Sequence, residues 1–247
     1  MRRLPSREAA WLPSAVEEEQ FAEQVLRARE KFFTSQFGPL PGEIQKLVNL
    51  MGLWPGGGLY QFEATRMGGL GVCTTWGLSN PEMPTRVRLA HLEWTPGEGG
   101  PTFSGHLAPR EPCWVPPEWA GYGYEVLVLT PAPATWPLLT LSWLAQMEVL
   151  DDVDLLGRVE EAQGVTLEDV KIGDGSQTAD FLIEPACDPL PREVSVPNGT
   201  MRLLVATRIT QDEMTFALQQ GRPALLKRLQ TAGPGQVSIL ERPSVIR

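Results

Sequence analysis

Apolar side chains at Val16, Phe21, Val25, Leu26, Phe32 and Phe33 recur at approximately helical spacing until Gly38-Pro39 stops them. Ser14-Ala15-Val16-Glu17 precedes them as a capping box, in which a hydroxyl and a carboxylate satisfy backbone N–H groups that the first turn leaves open. The pattern predicts a long first helix. Ile44, Leu47, Val48 and Met51 predict a short second one, ending at Pro55-Gly56-Gly57-Gly58. From Leu59 the period changes. Leu59–Thr65, Val72–Leu78 and Val87–Leu92 are short runs rich in aromatic and β-branched residues, and read as three strands.

Residues 94–119 are dense in proline and glycine and read as an irregular but ordered loop, because Trp94, Phe103, Trp114 and Trp119 are costly to leave in water. Tyr124–Thr130 reads as a buried strand. From Trp136, the residues Leu138, Leu139, Leu141, Trp143, Leu144, Met147 and Val149 are apolar on nearly all sides, which predicts a central helix covered by neighbours. The stretch from Asp151 to Ser176 is polar, with a strand or helix fragment around Val165–Val170. Phe181–Glu184, Arg202–Arg208 and Gln236–Leu240 read as further strands. Between the last two lie two helices, signalled by a Thr210–Glu213 capping box, by Pro223 in a first turn and by Gly233 as a terminator. No internal repeat or linker divides the chain. The expectation is one α+β domain over residues 1–247, a central mixed sheet flanked by helices, with residues 1–13 a flexible N-terminal segment.

Composition narrows the functional classes. The 247 residues are 42% hydrophobic and 21% charged, which suits a folded chain, and the net charge of −9 with no basic-aromatic cluster argues against nucleic acid. The N-terminal arginines are followed by Glu8 and Pro13 instead of an apolar stretch, so no signal peptide is expected. The longest apolar run, Pro137–Leu141, is far shorter than the roughly 20 residues that cross a bilayer. Cys73, Cys113 and Cys187 form neither a metal pair nor a disulfide framework. A cytoplasmic protein without membrane attachment is expected.

Catalytic signals are sparse. His91 and His106 are the only histidines, so a base-dependent nucleophile must use one of them. Gly77-Leu78-Ser79-Asn80-Pro81 opens like a nucleophile elbow but has proline where the sharp turn needs glycine. Asp151, Asp152 and Asp154 offer oxygen ligands without the glycine and glutamate of a calcium loop. The glycine-rich pieces lack dinucleotide or P-loop spacing. No catalytic residue, metal or cofactor is expected; a hydrolase or metal-dependent enzyme using His91 or the Asp151–Asp154 cluster is the alternative from another class.

Gly121-Tyr122-Gly123-Tyr124-Glu125-Val126-Leu127-Val128-Leu129, followed by Ala134-Thr135-Trp136-Pro137 and Leu144-Ala145, resembles the suppressor of fused domain. The resemblance extends to Phe37-Gly38-Pro39-Leu40-Pro41, to the Trp76-Gly77-Leu78-Ser79 that closes Leu59–Leu78, and to Leu203-Leu204-Val205 through Met214 and Leu225-Leu226. It implies a protein that acts by binding a partner protein or a peptide segment of it. Animal members grip a short peptide as an added strand, and bacterial members are inferred to be immunity proteins that neutralise toxins. Two departures stand out. This chain ends where animal members continue into a second domain, and Met147 replaces a tyrosine that faces the peptide. The partner-binding surface expected from the resemblance is Met147, Asp152, Asp154 and Leu155, with charge to steer a basic partner and apolar side chains for contact. A self-associating scaffold is a further alternative.

Overall fold

The computed structural model describes residues 15–46, 50, 52–95, 102–110, 118–173 and 176–246. The N-terminal segment 1–13 and Ser14 of the first capping box lie outside these residues. α1 (Ala15–Phe37) is the long first helix. Val25, Arg29, Phe33 and Phe37 are buried at four-residue steps, which is the face it lays on the sheet. It stops at Gly38, whose φ of 111° only glycine adopts without strain.

Then follow β1 (Gly58–Ala64), β2 (Leu70–Trp76), β3 (Val87–Thr95), β4 (Thr102–Pro109), β5 (Trp119–Thr130), α2 (Pro137–Asp151) and α3 (Leu155–Glu161). The chain closes with β6 (Val165–Lys171), β7 (Thr178–Pro185), β8 (Glu193–Val196), β9 (Gly199–Ile209), α4 (Gln211–Gln220) and α5 (Arg222–Ala232). One sheet runs in the order β1-β2-β5-β9-β7-β6, with β8 also on β9, while β3 and β4 form a separate two-stranded ribbon. β5 and β9 pair in parallel and the other neighbours are antiparallel, so the sheet is mixed.

Strand alternation sorts the core into two faces. Val126 and Val128 of β5, Leu204 and Ala206 of β9, and Phe181 and Ile183 of β7 pack with Leu141, Leu144, Val149, Leu155 and Val159 of α2 and α3. Leu127, Leu129, Leu203 and Val205 point the other way, toward Phe33 and Phe37 of α1. Leu182 and Ile209 meet α4 and α5. β5 and β9 are therefore apolar almost continuously, as strands covered on both sides must be.

Glu125 is the polar exception on β5. It is fully buried, and its carboxylate accepts from Thr75 Oγ1 at 2.7 Å, Gly77 N at 2.9 Å, Ser79 N at 3.1 Å, Ser79 Oγ at 2.6 Å and Arg29 Nη2 at 3.2 Å. Arg29 also donates to Asn80 and stacks on Trp76. The Trp76-Gly77-Leu78-Ser79 and Gly-Tyr-Glu pieces are thus two halves of one buried cluster that ties α1 to the sheet.

Several expectations change. Gln45 bridges Leu59 in extended pairing, so Ile44–Lys46 do not begin a helix; the remainder of that prediction falls on Leu47, Val48 and Met51, outside the described residues. The irregular loop contains β4, and residues 96–101 and 111–117, with Trp114, are outside the description. α3 and β8 went unread in polar sequence. Gln236–Leu240 is no strand: Val237 makes a single bridge to Leu129, and Ser238 is committed to other backbone groups, its N–H donating to Leu129 O at 2.7 Å and its Oγ accepting from Arg208 N at 2.9 Å.

Candidate functional site

α2 starts at Pro137, whose fixed φ suits a first turn. Its inner face is Pro137, Thr140, Leu141, Leu144, Ala145, Glu148 and Val149. The outer face is not covered as the all-round apolar sequence predicts. Leu139 and Trp143 are 43% and 38% exposed, and Met147, half-buried, follows at the same four-residue step. α2 carries no lysine or arginine, and its carboxylates are Asp151 and the buried Glu148. An uncharged apolar strip therefore faces outward along the helix.

The strip ends at a tight corner between α2 and α3. Asp152 and Asp154 both adopt left-handed backbone, with φ of 50° and 52°. Aspartate tolerates this conformation better than most residues, though each such position costs on the order of 1 kcal/mol. The corner is held from inside by Glu148, which accepts from Tyr124 Oη at 2.5 Å and from Leu155 N at 2.9 Å. Burial pushes the Glu148 carboxyl up from its ordinary value, against the downward pull of those hydrogen bonds.

The four expected partner-binding residues divide here. Met147 completes the apolar strip. Asp154 is exposed while its side chain caps α3 by accepting from Gly157 N at 3.2 Å. Asp152 forms an ion pair with Arg110, a nearly buried guanidinium that also donates to Thr85 O at 3.0 Å and Val149 O at 3.2 Å. It therefore pins the root of the β3–β4 ribbon to the end of α2. Leu155 is 4% exposed and packs in the core, offering no apolar surface outside. Asp151 and Asp154 are the corner carboxylates that face solvent. Leu139 and Trp143, missed in the sequence, had a signal in their four-residue spacing to Met147 and in the lack of charge around them.

The catalytic candidates fare differently. Ser79 is buried completely and its hydroxyl is committed to Glu125. His91 and His106 are paired across the ribbon by register; His106 is exposed, and the His91 side chain is outside the description. Among the described residues no group of three or more His, Cys, Asp or Glu is placed to hold a metal ion. No helix of the described residues is long and apolar enough to cross a membrane.

Fold and site thus define an α+β protein with a mixed sheet between helices, buried carboxylate clusters fastening those helices, and an apolar strip on one of them. The family model for suppressor of fused protein (SUFU) matches residues 111–243, and the chain belongs to that family. Among solved structures it is similar to a SUFU homolog from Neisseria gonorrhoeae FA 1090, at 15% identity and a TM-score of 0.55 over 93% of this chain and 98% of the other. Drosophila Suppressor of Fused matches at 15% identity and a TM-score of 0.53 over 90% of this chain and 51% of that one, so this chain spans about half its length. A structure of a Sufu–Fu complex matches at 15% identity and a TM-score of 0.49, over 91% and 92% of the two chains. The curated proteins give no match.

Proposed function

We propose that this protein is a non-enzymatic module that binds another protein through the outer face of α2, from Leu139 and Trp143 to Met147, with Asp151 and Asp154 at the rim, and that it sequesters or neutralises that partner as an immunity protein does. The observation that carries the reading is the uncharged strip itself. Leucine and tryptophan lie exposed, beside a half-buried methionine, on a helix whose other face is locked into the core, and a rigid aromatic anchor is the usual centre of a protein interface. Family membership supports binding as the mode of action. Asp152 and Leu155 serve the site by positioning it: one fastens the ribbon, the other fills the core beneath the corner.

The test is capture of partners on the tagged protein beside a Trp143→Asp variant, with circular dichroism on both. The expected result is one stoichiometric protein retained by the native sequence and weakened by about tenfold or more in the variant, as for removal of an interface anchor. Equal retention by a folded variant, or no retained protein, would sink the proposal.

A further inference from the structure

A second acidic side chain sits in the opposite situation to Glu125. Glu184, near the end of β7, is 3% exposed. It lies two residues beyond Leu182, whose side chain packs against Leu225 and Leu229, so strand alternation places Glu184 on the face covered by α4 and α5. Its Oε2 is buried without a hydrogen-bond partner. Among the described residues no cation forms an ion pair with it. Arg222, the first residue of α5, donates instead from Nη2 to Thr166 Oγ1 of β6 at 3.4 Å, and its own buried Nε has no partner.

Gly164 makes this juxtaposition possible. At its φ of 119° a Cβ would stand 3.0 Å from Glu184 Cγ and 3.1 Å from Arg222 Cβ. Burial raises the Glu184 carboxyl to about 8, with Arg222 pulling it back. The ionisable group acting on it is Arg222 from α5, and Glu184 in turn, after burial, raises the Cys187 thiol beyond β7. β6 faces the pair with Thr166, and β9 faces Glu184 with Val205. The charged groups of α4, β7, β9 and the C-terminal segment, Glu213, Asp180, Arg208 and Arg242, act on one another.

We propose that Glu184, Arg222 and Thr166 form a two-position switch: Arg222 holds β6 through Thr166 while Glu184 is protonated, and moves to Glu184 Oε2 when the carboxyl releases its proton to solvent. The second position frees Thr166 and loosens β6 from the start of α5. A buried carboxylate left with no cation is costly, and Arg222 is the cation already beside it.

The experiment follows the side-chain carboxyl signals by carbon NMR across the alkaline range and, alongside, amide exchange at residues 165–167 corrected for its intrinsic pH dependence. In the native sequence the Glu184 signal should titrate near pH 8, and exchange at 165–167 should rise on the order of tenfold through that midpoint. Glu184→Gln should abolish the rise, and Thr166→Val should show the faster exchange at both ends of the range. A Glu184 midpoint below about pH 6, an unchanged rise in Glu184→Gln, or native-like behaviour of Thr166→Val would each overturn the switch.

Discussion

Tyr124 and Glu125 are neighbours on β5 and point to opposite faces, each into a buried carboxylate cluster, yet the clusters are built differently. On the α1 side, Glu125 is met by two hydroxyls, two backbone N–H groups and the Arg29 guanidinium. On the α2 side, Glu148 has the Tyr124 hydroxyl and the Leu155 N–H and, among the described residues, no ion pair. Both acids are nearly inaccessible, at 0% and 2% exposure. The first is paired with a guanidinium and so holds its helix firmly; the second is served by neutral donors, so burial weighs on its charged form. The first cluster lies under α1, and the second lies under the corner that borders the proposed binding strip.

The largest effect should come from Glu125→Ala. It strands the buried Arg29 charge together with the N–H groups of Gly77 and Ser79, and breaking a buried pair from one side costs about 3–5 kcal/mol. Urea unfolding should show a loss of that size or no folded protein; a loss under about 1 kcal/mol would mean that the cluster does not fasten α1. A smaller effect is expected from Tyr124→Phe, about 1–2 kcal/mol, because one hydrogen bond to an acid is removed with little change in shape. An unaltered unfolding midpoint would break the parallel between the two clusters.

The smallest change at neutral pH belongs to Glu148→Gln, within about 1 kcal/mol, since the amide oxygen can still accept from both donors. Its signature is the pH profile. A carboxyl raised on folding keeps its proton longer in the folded state, so its stabilisation is complete below the unfolded value and is lost as pH rises through the folded one. The native sequence should therefore lose stability relative to Glu148→Gln as pH rises from about 4.5. Parallel curves for the two proteins would show that Glu148 carries no such linkage.

Where local chemistry sufficed, the sequence was legible. The Thr210–Glu213 capping box forms as written, with Thr210 N donating to Glu213 Oε2 at 2.9 Å and Glu213 N to Thr210 Oγ1 at 3.4 Å. The first helix, the early strand pair and the mixed sheet follow apolar periodicity. β4 was hidden because proline and glycine around it mask alternation, and because it pairs with β3, a pairing no local pattern specifies. The proposed site was half legible. Met147 and the aspartates of the proposed surface could be named from sequence, but their division of labour could not, since Arg110 stands forty-two positions from Asp152 in the chain and still decides that Asp152 serves as a fastener.

By itself the amino-acid sequence determined the α+β class and the starts of α4 and α5, because each rests on interactions within a few positions of the chain. Tertiary structure alone decided which apolar side chains remain outside. Leu139 and Leu141 look alike in sequence, yet one is 43% exposed and the other fully buried. The physical reason is that exposure belongs to the packing of a whole helix against a sheet: α2 turns one face to β1, β2 and β5, and the side chains left on the other face become its surface.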